Sequence, residues 1–343
     1  MADRSTGIQA LRSLLAADAI RYGEPRSFSG LTLVPLFSSR PAPFEYVLLS
    51  TAIRTGTAAI EEVGLGHVPT LRIINRSAMP VLLVDGEHLI GLKQNRILNT
   101  TILVTEQSTL DIPVSCVEQG RWSAPRGDAR PISPMLFADT RARKTEAVTE
   151  SVRHSGLYAA NQSAIWHDVA QKFSDLSVPA APTAAMHAAY EHWASEINLY
   201  VENLPWQSGQ TGVVAAVGRR ILCADLFDRP ESLEGLWDRL IPSYAVEALA
   251  HPTDGSPTVA DAAAFLRETT EARVTEHPAV GRGTNLRITA SDLVGAALQA
   301  EAAIIHLSLF RKEKMLHRFT WPAFSTVAQR RRHRDNPDAA RGR

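Results

Sequence analysis

Apolar residues fall in short alternating runs between residues 28 and 117, and shift to a spacing of three and four from residue 166 onward. In the first part, residues 31–37, 46–49, 58–63, 69–75, 81–84, 97–104 and 110–117 predict about seven short strands. Turn-rich stretches separate them: 38–43, the Gly64-Leu65-Gly66-His67 breaker, and Asn75 to Pro80, where Pro80 is tolerable only at the start of a strand. No segment of helical length lies between these strands, as a parallel crossover would require. The pattern therefore predicts an antiparallel β-sandwich or open barrel. Before it, Leu11, Leu14, Leu15 and Ile20 predict a short amphipathic helix.

From residue 123 the alternation stops. Prolines, glycine and mixed charge over 123–139 predict a loop, and the polar run 140–155 predicts a solvated helix. Two apolar stripes follow: Trp166, Val169, Phe173 and Leu176, then Met186, Tyr190, Trp193, Ile197, Tyr200 and Leu204. Each makes one buried helix face. Residues 211–216 and 220–226 flank Gly218-Arg219 as a hairpin, Pro230 suits the first turn of a helix, and Thr258 with Asp261 resembles a capping box. Strands return at 285–289 and 303–310. The chain is expected to be α+β: an N-terminal antiparallel β-sandwich or open barrel, then a helix-rich α+β domain with a small antiparallel sheet. The boundaries expected are 1–27 for a lead-in, 28–122 for the β-rich domain, 123–155 for a linker, 156–311 for the α+β domain and 312–343 for a basic, disordered tail.

Charge and cysteine content narrow the class of protein. Lys+Arg and Asp+Glu balance at 36 each, which gives no electrostatic case for a nucleic-acid partner except through the basic tail. Two cysteines make no disulfide scaffold, the N-terminus lacks a secretory pattern, and no window is long and apolar enough for a membrane span. A cytoplasmic protein without a membrane partner is expected.

Two polar knots interrupt the strand series. The first is Asp85-Gly86-Glu87-His88 with Lys93-Gln94-Asn95-Arg96; the second is Cys116 with Glu118, Gln119, Arg121 and Trp122. Gly86 permits a tight turn or close backbone approach, and the Lys, Gln, Asn, Arg set suits phosphate, ribose or carboxylate recognition. A solvated turn explains the first knot equally well. The glycine spacing matches neither a Walker loop nor a dinucleotide fingerprint. Cys116 beside Glu118 is a poor thiolate unless Arg121 or His88 folds against it, and an inert buried thiol is the stronger reading. Glu87, His88, Glu118 and Asp85 suit a hard cation, but no spacing enforces one, and the sequence specifies no metal or other cofactor.

The segments DGEHLIGLKQNRILNTTILV, IPVSCVEQGRW, GVVAAVGRRILCADLF and IIHLSLF resemble a bacterial family, the ARG and rhodanese-phosphatase-superfamily-associated protein domain. The resemblance implies work on ADP-ribose or nucleotide-derived metabolites, an associational link that supplies no mechanism. It places the site at Gly86, Glu87, Gln94, Asn95, Arg96, Cys116, Glu118, Arg121 and Trp122, with Asp225 and His306 lining the same cleft. The expectation is binding, with processing by a hydrolase or transferase left open, of a phosphorylated ADP-ribose- or nucleotide-derived ligand. Glu87, Glu118 and Cys116 are the candidate catalytic groups; Gly86, Gln94, Asn95, Arg96, Arg121 and Trp122 are the candidate ligand-binding ones. The alternative is a non-enzymatic interaction or assembly module, with a protein partner or a homo-oligomer, in which the knots are hydrogen-bonding struts and Arg121 and Trp122 are interface anchors.

Overall fold

Leu31–Phe37 is apolar at nearly every position and buried along its length, so it needs cover on both faces. It has it. In the computed structural model this strand lies inside a nine-stranded antiparallel sheet, and helices pack on either side. The structure describes residues 6–16, 18–67, 69–118, 134–179 and 185–312. Residues 313–343 of the expected disordered tail, and Gln119, Arg121 and Trp122, lie outside the described residues.

The large sheet runs in the order Arg21–Tyr22, Leu31–Phe37, Gly212–Val217, Arg220–Phe227, Ala303–Arg311, Leu293–Ala300, Thr284–Thr289 and Arg273–Pro278, with Arg26–Phe28 also on Leu31–Phe37. Strand alternation divides its side chains between two cores. On one face Leu33, Ala215, Cys223, Leu298 and Phe310 meet Phe173, Ile197, Leu240 and Tyr244 from the helices. On the other, Val34, Val214, Leu286 and Leu307 meet Leu11 and Leu14 of the N-terminal helix Thr6–Leu14 and Phe265 of Val259–Glu271. Leu31–Phe37 pairs with Gly212–Val217 in continuous register, so the first and second halves of the chain share this sheet. The described residues all fall within one unit of mutual contacts.

Two smaller sheets complete the β structure. One has the order Ala58–His67, Thr70–Asn75, Ser108–Cys116, Arg96–Leu98, His88–Leu89; the other is Ile102–Val104, Val81–Leu83, Val47–Leu48, the last pair being parallel. Their shared core contains Ile60, Leu71, Ile73, Leu83, Leu98, Ile102 and Ile112. The overall class is α+β, largely antiparallel.

Several local expectations hold. The hairpin turns at Gly218, whose φ is 54°, and Pro230 opens Pro230–Glu234. Thr258 and Asp261 form a reciprocal cap, with Asp261 N–H donating to Thr258 Oγ1 at 3.2 Å and Thr258 N–H to Asp261 Oδ2 at 2.8 Å.

Two expectations are corrected, and both bear on the site. The single strand predicted over 97–104 is broken: Arg96–Leu98 and Ile102–Val104 belong to different sheets, and Asn99, Thr100 and Thr101 turn inward between them. The helix predicted over 140–155 exists as Ala138–Ser155, but it is not solvated. Thr140, Arg141, Lys144, Thr145, Val148 and Val152 are buried, because this face crosses the sheet at Leu293–Ala300 and Ala303–Arg311.

Candidate functional site

The broken strand and the buried basic helix meet in an ionic centre between the sheets. Arg141 donates twice to Asp225, Nη1 to Oδ2 at 3.0 Å and Nη2 to Oδ1 at 2.7 Å, while its Nε stands 3.9 Å from Asp85 Oδ2. Tyr244 donates a short hydrogen bond to Asp225 Oδ2. Lys144 Nζ bonds Asp85 Oδ1 and also donates to the carbonyls of Leu98 at 2.9 Å and Asn99 at 3.3 Å, so its three protons are placed. All of these groups are buried. Burial drives the Lys144 ammonium down, Asp85 restores part of it, and Arg141 and Arg287 push the same way as burial; the result is a pKa of about 8. Burial also raises the Asp225 carboxyl, but Arg141 and the hydrogen bond from His306 outweigh it and hold the group below the usual carboxylate range.

Gly86 shows why the turn here is glycine. Its φ is 83°, and an added Cβ would stand 3.1 Å from Arg141 Nε. The chain thus passes directly over the guanidinium that neutralises Asp225.

An Asp–His–hydroxyl chain runs through the centre. His306 Nε2 lies 3.2 Å from Asp225 Oδ1, and its Nδ1 lies 2.8 Å from Thr101 Oγ1. The order resembles that of a nucleophilic relay, yet each end is occupied: Asp225 already accepts from Arg141 and Tyr244, and Thr101 Oγ1 accepts the Asp85 N–H at 3.1 Å. As arranged, the chain joins the sheets and offers no attacking oxygen.

The two knots themselves converge. Cys116 and Arg96 are partners across the ladder between Ser108–Cys116 and Arg96–Leu98. Val117 N–H donates to Asn95 O at 3.1 Å, Asn95 N–H to Glu118 Oε2 at 3.1 Å, Gln94 Nε2 to Glu118 O at 3.3 Å, and Arg96 Nη1 to Gln94 Oε1 at 3.1 Å. Gln94, Asn95, Arg96, Cys116 and Glu118 therefore form one cluster, and every one of them is buried. The solvated-turn reading of the first knot fails at these residues. Glu87 belongs elsewhere: its Oε1 accepts from Arg239 Nη1 at 2.6 Å and its Oε2 from Val84 N–H at 2.7 Å, tying the knot to the helix Trp237–Ala250.

Cys116 is held shut by the helix Gln162–Asp175. Gln162 Oε1 accepts from Cys116 N–H at 2.8 Å and Gln162 Nε2 donates to Cys116 O at 2.6 Å, while the thiol lies 3.0 Å from Glu118 O. Burial pushes both thiols up, Cys223 further than Cys116. Both cysteines of the native protein are expected to resist an aromatic disulfide reagent and to react only as fast as the protein unfolds. A rapid native reaction at Cys116, isolated in Cys223→Ser, would show an activated thiol. Burial likewise drives His88 down to about 3, with His187 adding to the effect, so it is neutral at pH 7.

The helix Gln162–Asp175 is tied down at its other end by a second ionic group. Lys172 Nζ bridges Asp139 Oδ2 at 2.9 Å and Glu247 Oε2 at 2.7 Å, and Arg143 joins Asp168 at 2.8 Å. Burial, then Asp139, pushes Glu247 up to about 7 from 4.5, although Lys172 opposes the shift. The folded protein thus holds this proton more tightly than the unfolded chain. Stability from Glu247 is full below the unfolded value and is lost as pH rises toward about 7. Glu247→Gln is expected to flatten the fall in stability over that window in urea titrations at stepped pH; an unchanged slope would contradict the assignment.

The sequence pointed to Asp225 and His306, and the structure joins them. It gave no role to Arg141, Lys144, Tyr244 or Arg287. A signal for the first two was present: the stripe through Val152 and Val148 continues to Thr145 and Arg141 at helical spacing, with Lys144 beside it, so these side chains point inward with the valines. Among the described residues, no group of three or more His, Cys, Asp or Glu is placed to hold a metal ion. None of their helices is long and apolar enough to cross a membrane.

The fold and the site define an α+β protein in which Gln94, Asn95 and Arg96 of the first knot and Cys116 and Glu118 of the second are internal and joined to one another. The family whose model is described as ARG and Rhodanese-Phosphatase-superfamily-associated Protein domain matches residues 19–310, and the chain belongs to that family. No curated protein and no solved structure matches the chain.

Proposed function

We propose that this protein acts by binding a phosphorylated ligand derived from ADP-ribose or a nucleotide, and that the converged knots are where it binds. The observation that carries the reading is that Gln94, Asn95 and Arg96 fold against Cys116 and Glu118 into one cluster, although about twenty residues separate them. Arg96 there donates to the neutral amide oxygen of Gln94. A phosphate oxygen is a stronger acceptor for a guanidinium, so a ligand phosphate gains by displacing the Gln94 side chain. The amides of Gln94 and Asn95 are then available to ribose or base.

Binding without turnover is favoured by the state of the candidate acid–base groups. Glu87 is spent on Arg239 and Val84, Glu118 accepts from Asn95, and the Cys116 thiol is raised by burial. The same saturation favours a second reading, an interaction module whose knots are struts.

The test is a thermal-shift series on the full chain with ADP-ribose, AMP, NAD and inorganic phosphate, in the parent, Gln94→Ala and Arg96→Lys. The binding reading expects a dose-dependent rise in melting temperature that Arg96→Lys abolishes and Gln94→Ala, by removing the competing amide, preserves. No rise with any of the four would overturn it. Loss of a large assembly in light scattering on Gln94→Ala, without any ligand effect, would establish the interaction module.

A further inference from the structure

At Cys116 a side chain stands where a neighbouring strand would pair. Thr70–Asn75 pairs with Ser108–Cys116 as far as Pro113, and Val114 N–H still finds Pro69 O at 3.0 Å before that partner ends. Two residues on, Cys116 turns its N–H and C=O to the same side. Both are met by the Gln162 amide, at 2.8 and 2.6 Å. Past it, Glu118 O accepts from Gln94 Nε2, and Glu118 N–H donates to the Cys116 thiol. The gap is one donor and one acceptor wide.

Such a gap is too short for an added peptide strand, which needs a row of pairs. It fits a primary carboxamide, the group Gln162 now places in it. Gln162 opens the helix Gln162–Asp175, and Trp166, four residues on, shares its helix face. Both residues are half-buried. The indole nitrogen of Trp166 is buried, against the Cys116 thiol. Arg96 is opposite Cys116 on the next strand, about 4.8 Å away, where side chains share one face of the sheet. A carboxamide slot, an aromatic ring and a guanidinium thus surround one residue.

We propose that the ligand of the converged knots carries a nicotinamide ring, an assignment that rests on their reading as a phosphate site. The ligand carboxamide replaces the Gln162 amide, its N–H donating to Cys116 O and its carbonyl accepting from Cys116 N–H. The pyridinium ring stacks on Trp166, whose π face favours its positive charge, and the ribose phosphate reaches Arg96. Exchanging one carboxamide for another keeps both hydrogen bonds of Cys116, and the displaced Gln162 side chain turns to water. The ring and the phosphate supply the net gain.

The experiment is titration calorimetry of the full chain with nicotinamide mononucleotide, nicotinate mononucleotide, AMP and ribose 5-phosphate, repeated on Gln162→Ala and Trp166→Leu. Ligand-free melting curves check that both variants fold, and the comparison of probes on the parent decides the matter if either does not. Nicotinamide mononucleotide is expected to bind about tenfold more tightly than ribose 5-phosphate, the contribution of one stacked ring. Nicotinate mononucleotide loses that advantage, because its carboxylate has no N–H for Cys116 O. Trp166→Leu removes the tenfold difference, and Gln162→Ala, which lacks the competing amide, keeps it. AMP binding as tightly as nicotinamide mononucleotide would overturn the nicotinamide assignment. Equal binding of both mononucleotides and ribose 5-phosphate would overturn the ring site and leave the phosphate site standing. Binding of none of the four would overturn both.

Discussion

Arg141→Ala is expected to destabilise the protein by about 3–5 kcal/mol, the usual result of stripping one partner from a buried ion pair. The reason is Asp225. Its carboxylate is buried between sheet and helix, and Arg141 supplies two of the hydrogen bonds that hold it there. Without the guanidinium, Tyr244 and His306 remain as hydrogen-bonding partners, but the bidentate charge partner of the carboxylate is gone. Asp85 is affected as well, since Arg141 Nε is 3.9 Å from its Oδ2. Urea unfolding measures the loss. The partner test is the pair Arg141→Met with Asp225→Leu, which removes both charges and should recover a large part of the stability. An Arg141→Ala variant within about 1 kcal/mol of the parent would mean that water reaches Asp225 and that the centre is not a structural joint.

Glu87→Ala is expected to cost about 3 kcal/mol, at the low end for a broken buried pair because Arg239, at 9% exposed, is less deeply buried than Glu87 at 1%. Two donors lose their acceptor at once: Arg239 Nη1 and the Val84 N–H. Glu87→Gln keeps one acceptor oxygen and should fall between the variant and the parent in the same urea series. This separates two roles for Glu87. A strut shows its loss in stability, whereas a catalytic carboxylate shows full stability and altered turnover. Equal stability of Glu87→Ala and the parent would contradict the strut.

Much of the fold was legible because its elements obey simple periods. The strands of the first half alternate, the helices after residue 166 carry three-to-four stripes, and Gly218, Pro230 and Thr258 mark turns and caps by known chemistry. Where the reading stopped short, tertiary structure overruled local pattern. Arg273–Pro278 is a polar edge strand, and Leu293–Ala300 is built of small residues, so neither has the alternation of a half-buried strand. The polar run at Asn99 to Thr101 does not stop a strand by propensity alone; it breaks because Thr100 accepts from Asn285 at 3.1 Å and Arg287 at 3.0 Å, and Thr101 meets His306. Those partners lie almost two hundred residues away, beyond any local window.

The site was legible in part for a similar reason. That two dense polar knots sit between apolar strands marks them as more than loop, and they do meet at Arg96 and Cys116. What the sequence does not state is which polar groups are already satisfied. Glu87 looks like a free acid until Arg239, about one hundred and fifty residues later, is folded against it. Arg141 and Lys144 look like solvent-facing charges until the sheet is laid beneath their helix.

Hydrogen–deuterium exchange on the full chain with and without ADP-ribose tests most directly whether the knots form one binding cluster. The predicted result is slower exchange on ligand addition at the amides of Asn95 to Leu98 and Val114 to Glu118, with the Gly212–Val217 and Arg220–Phe227 hairpin of the large sheet unchanged. Protection confined to any other segment, or no protection at saturating ligand, would contradict it.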